Sequence, residues 1–414
     1  MIIPLNHTLF TRLALVTSLV LVNACSSSDS NSDGNDNPPL ADPGSTSYGY
    51  VFTRGPKFES GQIERLSLTD GNTIDSTYPA TSSDHRVATD GESIYQIGRF
   101  NIDNLTKFSA TDTSITNYQL SVLGDVTGTS NPQALAFVDE NLAYLTRRSS
   151  DRLLILDPSP EDATSESLIT GEISLADYNL GSGETLDLPD MTNAVIVDDK
   201  LFVLLENLDG FAPINGGYIA VIDTNTNTEI DTGQGEFPRR GIALDTVNPT
   251  ALHYNETTGL LYVTGRGNAF SNPSAPGDPY TGGIESIDPR TYQTTLVLDD
   301  GTEEDNKGFF SEAIVINDSI GYVITLDGFT SDFISINNLR TFNPTTGELS
   351  EPIAGTEEQS LTMLASGPDN HLWVGIQSDT PGFMRVDLTT GLPAEQMVAT
   401  GQIPADMVFL QVDR

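Results

Sequence analysis

The feature that most constrains this chain is an aromatic residue that recurs at one place in a repeated unit. Each unit contains an apolar strand, a turn rich in Asp, Gly and Asn, a second strand with the aromatic near its start, and a third apolar strand that ends in a polar turn. The aromatic falls at seven positions, 45 to 60 residues apart: Tyr50, Tyr95, Tyr144, Phe202, Tyr262, Tyr322 and Trp373. Periods of this length indicate stacked repeats, in which each unit is too thin to bury its own faces.

The third strand recurs in step with the aromatics. Its position is marked seven times, at Leu66, Phe108, Leu156, Ile222, Ile287, Phe342 and Val386. Seven sheets of four short strands form a β-propeller, which leaves only short and protected sheet edges. The sequence therefore predicts an all-β fold, a seven-bladed β-propeller over residues 47–414.

The two ends of this region complement each other. Residues 50–52, residues 63–68 and the segment around Ile74 supply the second, third and fourth strands of the first blade, but no inner strand precedes them. The segment PADMVFLQVD (404–413) is similar to an inner strand and has no second strand after it. We expect the ring to close by pairing of the N-terminal strands with this C-terminal strand.

Two units carry a known repeat pattern. They are Tyr262-Val263-Thr264, and the run from Ile219 to Thr228 (IAVIDTNTNT). Both resemble the YVTN-type seven-bladed propellers, whose repeat pairs a Tyr-Val strand with a Val-x-Val-Ile-Asp strand. The family's usual Asn is replaced by Gly265. The resemblance implies the architecture, whereas function must come from the site.

The first 24 residues are predicted to be a signal peptide. They contain no acid, and the apolar stretch from Leu13 to Val22 is shorter than a membrane-spanning helix. The stretch ends Leu21-Val22-Asn23-Ala24-Cys25, which resembles the lipobox of bacterial lipoproteins. The resemblance implies that Cys25 becomes the acylated first residue of the mature protein. The alternative is a core strand that happens to precede a cysteine.

The residues after Cys25 predict where the chain is held. Ser26 and Ser27, and no Asp, follow the cysteine. In Gram-negative lipoproteins, which this segment resembles, the absence of an Asp there usually implies transfer of the protein to the outer membrane. Residues 25–46 form the acylated cysteine and a tether rich in Ser, Asp and Asn, with no core residues. We expect a lipid-anchored protein of the bacterial outer membrane that faces the periplasm or the cell surface.

The charge balance excludes several classes of function. The chain has 19 Lys and Arg against 58 Asp and Glu, a formal net charge of −39. Binding to nucleic acid depends on clustered basic residues, so no nucleic-acid partner is expected. Cys25 is the only cysteine, which excludes a disulfide framework and cysteine-based metal sites.

Much of the scarce positive charge is predicted at one face of the propeller. Four second strands carry an Arg four residues after the Tyr, at Arg54, Arg99, Arg148 and Arg266, and the equivalent positions elsewhere are Glu206, Leu326 and Gln377. Arg86, Arg147, Arg239 and Arg240 are expected on the same face. One interpretation is an anion-binding channel mouth; the other is that each Arg bridges a carboxylate of a neighbouring blade.

The inner strands begin with polar residues that predict a second, tighter ring. Its members are Arg86, Gln133, Asn193, Thr250, Glu312, Thr362 and Asp406. Converging polar groups at a concave mouth indicate a ligand site. The alternative is a channel that merely holds ordered water.

No catalytic motif accompanies these rings, since the sequence has neither a Gly-rich phosphate loop nor a Gly-x-Ser-x-Gly elbow. The favoured function is non-catalytic recognition of an anionic ligand, or of a membrane receptor or transporter, at the channel mouth. The enzymatic alternative rests on resemblance to the calcium-dependent lactonases, which use Glu, Asn and Asp on a propeller. Glu312, Asn193 and Asp406 would supply that set, and calcium is the cofactor this alternative needs.

Overall fold

The computed structural model describes residues 45–69, 72–80, 82–112, 115–160, 163–182, 185–208, 216–268, 280–331 and 334–413. Its strands form seven antiparallel sheets arranged in a ring, which confirms the predicted seven-bladed propeller. The predicted signal peptide, Cys25 and the tether before Ser45 lie outside the described residues.

In each blade, the strands follow one another from the inner strand outwards. Blade 1 contains β31 (Ile403–Asp413), β1 (Ser45–Arg54), β2 (Gly61–Ser67) and β3 (Thr73–Ala80). Blade 2 contains β4 (His85–Thr89), β5 (Ser93–Gly98), β6 (Asn104–Ser109) and β7 (Thr116–Ser121). Blade 3 contains β8 (Pro132–Asp139), β9 (Leu142–Arg147), β10 (Arg152–Leu156) and β11 (Ile169–Ser174).

The remaining four blades follow the same order. Blade 4 contains β14 (Met191–Val197), β15 (Lys200–Leu205), β16 (Gly216–Asp223) and β17 (Thr228–Glu229). Blade 5 contains β19 (Pro249–Asn255), β20 (Leu260–Gly265), β21 (Gly283–Ile287) and β22 (Thr294–Asp299). Blade 6 contains β23 (Phe309–Asn317), β24 (Ile320–Phe329), β25 (Ser335–Phe342) and β26 (Leu349–Pro352). Blade 7 contains β27 (Ser360–Ser366), β28 (His371–Gln377), β29 (Gly382–Asp387) and β30 (Val398–Ala399).

A few elements depart from the four-stranded repeat. Strand β18 (Ile242–Val247) pairs with β16 as an additional strand of blade 4, and β12 (Leu180–Ser182) and β13 (Thr185–Asp187) form a separate hairpin. In the described part of the chain, the helices are α1 (Ser165–Leu168) and a 3₁₀ turn at Ala176–Tyr178. Among the described residues, no helix is long and apolar enough to cross a membrane.

The first and last strands of the described region close the ring, as predicted. Strand β31 pairs antiparallel with β1, so that Tyr50 lies opposite Val408 and Thr46 opposite Val412. Each inner strand also contacts the inner strands of both neighbouring blades, in the order β31, β4, β8, β14, β19, β23, β27 and back to β31. The first blade is therefore built from both termini of the folded region.

The recurring aromatics explain why thin sheets hold together. All seven lie in second strands and are at most 2 % exposed, in clusters that join adjacent blades. Two of their hydroxyl groups reach the next blade: Tyr50 donates to the carbonyl of Ala110 at 2.6 Å, and Tyr144 donates to Asn227 Oδ1. Burying an aromatic side chain contributes about 1.5–3 kcal/mol, so this repeat secures each blade to its neighbour.

Candidate ligand site at the channel mouth

Two sets of mostly polar side chains lie at the edge of the ring where inner strands begin and second strands end. The rim ring consists of the residues four positions after the recurring aromatics: Arg54, Arg99, Arg148, Glu206, Arg266, Leu326 and Gln377. The channel ring lies on the inner strands. In each blade, its member pairs with, or lies next to the partner of, the second-strand residue two positions after the aromatic. Its members are Asp406, Arg86, Gln133, Asn193, Thr250, Glu312 and Thr362. The strand register thus brings the predicted site residues of all seven blades to two levels at one mouth.

Irregular strand pairing accompanies the channel ring. In six of the seven blades, the pairing of the inner and second strands shifts register within two residues of the ring residue. Blade 2 is the exception, because Arg86 pairs regularly with Ile97. A β-bulge re-aims a side chain out of the strict alternation of a strand and is common at the rims of sites. In these six blades the bulge coincides with the polar residue of the channel ring.

Arg148 of the rim ring joins two blades. Its Nη1 lies 3.1 Å from Glu206 Oε1, its Nη2 donates to Glu206 Oε2, and its Nε lies 3.4 Å from Asp190 Oδ1. Burial alone would lower the pKa of Arg148, but Glu206 and Asp190 raise it above its usual value. Arg148 therefore matches the alternative interpretation, a bridge to a neighbouring blade's carboxylate.

Arg99 is also paired, but within its own blade. Its Nη1 lies 3.3 Å from Oδ1 of Asp84, which immediately precedes strand β4. Burial lowers the pKa of Arg99, and Asp84 opposes that change. Its charge is partly compensated before any ligand arrives.

Arg54 differs from both. Only 5 % exposed, it has no carboxylate within ion-pair distance among the described residues. Its Nη2 makes a long contact of 3.4 Å to Gln377 Oε1, while Nε and Nη1 have no hydrogen-bond partner in the described part of the chain. Burial lowers the pKa of Arg54 to about 10, which leaves it a cation at neutral pH.

Phe58 covers this arginine. The guanidinium carbon of Arg54 lies 4.3 Å from the centre of the Phe58 ring, a cation–π contact. Phe58 is 42 % exposed and has a φ of 60°. A bulky side chain in the left-handed region is strained, and such strain is concentrated at ligand clamps and active sites.

Asp406 is the acid of blade 1 in the channel ring. Its Oδ2 accepts the N–H of Val87 and its Oδ1 accepts the N–H of Met407, both at 3.0 Å. Burial raises the pKa of Asp406 to about 6, although Arg86 and both hydrogen bonds act in the other direction. Burial lowers the pKa of Arg86 to about 9, with Arg99 adding to that effect and Asp406 opposing it.

Glu312 is the second acid of the channel ring. Burial raises its pKa well above the usual value, Asp406 adds to this, and Arg266 opposes it. Glu312 lines a cavity of about 20 Å³ together with Leu252, His253 and Leu364. A cavity of that size holds one water molecule. Burial also lowers the pKa of Arg266 to about 10, against the attraction of Glu206 and Glu312.

Four neutral residues of the channel ring carry buried atoms without a hydrogen-bond partner among the described residues. These atoms are Gln133 Oε1, Asn193 Nδ2, Thr250 Oγ1 and Thr362 Oγ1, on residues that are at most 3 % exposed. Most buried polar groups in folded proteins are satisfied, so four such atoms at one level of one channel require an explanation. They are the clearest indication that something other than protein completes this ring.

Two arginines expected on this face are held by other contacts, and some residues of the face were not predicted. Arg147 donates to the carbonyls of Leu123 and Arg152, and Arg239 lies over the Tyr218 ring in the loop before β18, so neither joins the rim ring. Asp84, Asp190 and Phe58 were missed. Each of the two acids lies immediately before an inner strand. This position in the sequence could have predicted that they lie at the same mouth.

The described residues provide little for a metal ion. They include no group of three or more His, Cys, Asp and Glu side chains placed to hold one. Of the set suggested for calcium, Asn193 Oδ1 already accepts the N–H of Ala194, and both oxygens of Asp406 accept backbone N–H groups. The lactonase-type alternative therefore remains a prediction from resemblance.

Comparison with known proteins supports the architecture. No protein-family model and no curated protein sequence matches the chain. Among solved structures, a candidate 6-phosphogluconolactonase from Bacteroides fragilis matches with a TM-score of 0.57 and 12 % identity, over 90 % of this chain and all of that chain. Apo AztD from Citrobacter koseri matches with a TM-score of 0.51 and 12 % identity, over 89 % and 98 %. The dihydro-heme d1 dehydrogenase NirN, in complex with DHE, matches with a TM-score of 0.51 and 11 % identity, over 92 % and 77 %. At such low identity these similarities show the fold alone.

Proposed function

We propose that this protein is a binding propeller whose channel mouth takes a small anionic ligand. The observation that carries the proposal is Arg54, a buried cation with two unpartnered nitrogens and no carboxylate within reach among the described residues. Removing a charge from water costs several kcal/mol unless a partner compensates it. A ligand carboxylate or phosphate would supply that partner, through charge-assisted hydrogen bonds of the kind arginine forms well.

The neighbouring groups support a mouth that is poised for one anion. Arg148 and Arg99 hold their own carboxylates and so frame the site without competing for the ligand. Phe58 offers an apolar face over the guanidinium, and Gln377 offers an amide beside it. This arrangement needs no catalytic group, and it matches a role in recognition.

The test is calorimetric titration of the full chain with acetate, malonate and inorganic phosphate at low ionic strength. We expect at least one of these anions to bind and added salt to weaken the binding. Arg54→Gln is expected to reduce the affinity at least about tenfold. The matched control is Arg290→Gln, because the Arg290 side chain is 76 % exposed in the turn before β22. Binding that is equally strong in Arg54→Gln, or no binding of any of the three anions, would overturn the proposal.

We further propose that the propeller is anchored through Cys25 at a bacterial outer membrane and presents its mouth to a ligand or to a membrane receptor or transporter. Support comes from the lipobox-like segment and the polar tether in the sequence. Growth with a radiolabelled fatty acid tests the anchor directly. We expect label on the wild-type chain and none on Cys25→Ser, with the wild-type protein in the outer-membrane fraction. An unlabelled wild-type chain in the soluble fraction would contradict the anchor without affecting the binding site.

A further inference from the structure

We propose that the ligand of this mouth is a hydroxylated monocarboxylate, a small organic acid with one negative charge and several neutral hydroxyl groups. This inference rests on the proposed function and adds the chemical class of the ligand. It depends on two independent observations, the charge compensation of the rim ring and the unpartnered atoms of the channel ring.

The rim ring argues for a single negative charge. Arg148 is shared between Glu206 and Asp190, and Arg99 is paired with Asp84. Arg54 has no such partner among the described residues, and the fourth rim arginine, Arg266, is attracted by Glu206 and Glu312. A second anionic group on the ligand would have to compete with carboxylates that are already in place, at the cost of like-charge repulsion.

The channel ring argues for neutral groups that both donate and accept. Gln133 Nε2 donates to the carbonyl and the side-chain oxygen of Asn131, at 3.1 and 2.8 Å, so its Oε1 remains as an acceptor. Asn193 Oδ1 accepts the N–H of Ala194 at 2.8 Å, so its Nδ2 remains as a donor.

The two threonines of the ring complete this pattern. Thr250 and Thr362 each retain an unpartnered hydroxyl group among the described residues. A hydroxyl group donates one hydrogen bond and accepts others, and it can therefore satisfy an acceptor, a donor or a second hydroxyl. An alkyl chain at this level would leave all four protein atoms unsatisfied.

The charged and neutral parts of the site meet at blade 7. Arg54 contacts Gln377, which pairs with Ser360 at the start of β27, and Thr362 lies two residues further along the same strand. Thr362 is the residue at which the pairing with β28 shifts register, so it is turned out of the strict alternation of the strand. A carboxylate held by Arg54 would therefore lie beside the strand that carries Thr362.

The experiment compares three probes of four carbon atoms by calorimetric titration of the full chain. Threonate carries one carboxylate and three hydroxyl groups, butyrate carries the carboxylate alone, and erythritol carries the hydroxyl groups alone. We expect threonate to bind at least about tenfold more tightly than butyrate or erythritol. Thr362→Val and Thr250→Val keep the shape of the side chain. Each should reduce the affinity for threonate about fivefold or more and leave the affinity for butyrate unchanged.

The controls separate a binding role from a structural one. Neither variant should lower the thermal midpoint, because each replaces an unsatisfied hydroxyl with a methyl group. Thr295→Val changes an exposed threonine on outer strand β22 and should affect neither binding nor stability. Unchanged threonate affinity in both ring variants would overturn the inference.

The three probes also distinguish the failure of this inference from that of the proposed function. Equal binding of butyrate and threonate, lost in Arg54→Gln, would refute the hydroxylated class and leave the anion-binding mouth intact. Erythritol binding as tightly as threonate would refute both, since charge would then play no part. Failure of both carboxylates to bind would refute the hydroxylated class, and it would refute the anion-binding mouth as well if acetate, malonate and inorganic phosphate also failed to bind.

Discussion

The pair formed by Arg148 and Glu206 gives the sharpest test of how this mouth is stabilised. Their side chains are 9 % and 2 % exposed and share two hydrogen bonds between blades 3 and 4. Changing Arg148 to Met keeps most of the packing but leaves Glu206 and Asp190 without their cation. Breaking a buried pair in this way costs about 3–5 kcal/mol.

The expected thermal shift follows from the size of the fold. Unfolding entropy of about 2.1 cal/mol/K per residue, over roughly 370 residues, gives a decrease of about 4–6 °C in the thermal midpoint of Arg148→Met. The double variant Arg148→Met/Glu206→Leu should regain more than half of that loss, because it removes the uncompensated buried charge.

The matched comparison is Arg54→Met, at the equivalent rim position of blade 1. Since Arg54 has no carboxylate within ion-pair distance in the described structure, its replacement should leave the midpoint unchanged or raise it. Scanning calorimetry of the four proteins at one pH and salt concentration measures the series. Equal losses in Arg54→Met and Arg148→Met, or a loss below about 1 kcal/mol in Arg148→Met, would refute this account of the rim.

Three further predictions concern other parts of the fold. Burial lowers the pKa of His253 to about 4, and its neutral Nε2 accepts the N–H of Val315 at 3.0 Å. The thermal midpoint should therefore fall as the pH drops from about 6.5 towards 4, because the unfolded chain then binds a proton that the folded one does not. His253→Gln keeps an acceptor and should show a shallower fall in midpoints measured across that range. Phe58→Gly relieves the left-handed φ of 60° but loses the contact with Arg54. Because these effects oppose each other, the free energy of unfolding should change by less than about 1 kcal/mol on denaturant titration. A larger loss would show that Phe58 mainly stabilises the fold. Deleting residues 403–414 removes the inner strand of blade 1 and should abolish the cooperative thermal transition; a truncated chain that melts as sharply as the parent would contradict closure by β31.

The sequence was sufficient for the architecture because the repeat is carried by residues with one physical task. Tyr144 and Phe202, for example, must be buried between blades whatever their neighbours are, so spacing alone locates the second strands. The closing strand was predictable because residues 404–413 lacked a partner in any linear arrangement, and β31 confirms this. The additional strand β18 was not predicted, and Arg239 lies in the loop before it, against the Tyr218 ring.

The electrostatics of the mouth could not be derived in the same way. Each rim arginine has the same local pattern, yet Arg148 meets Glu206 while Arg54 meets Gln377. The difference depends on which residue the neighbouring blade places at the equivalent position, and for Arg54 that neighbour is distant by more than 300 residues in the chain. The unpartnered atoms of the channel ring depend on amide orientations and on bulges, neither of which has a signature in the sequence.

The pairing of β31 with β1 also has a consequence for biogenesis. During synthesis the N-terminal strands appear first, so β1 has one unpaired edge until the next six blades have been made. At ordinary rates of synthesis this takes about 20–70 s. An unpaired strand edge can pair with strands of other chains, including nascent copies translated from the same mRNA. The surplus of acidic residues would hold such nascent neighbours apart until the last strand arrives.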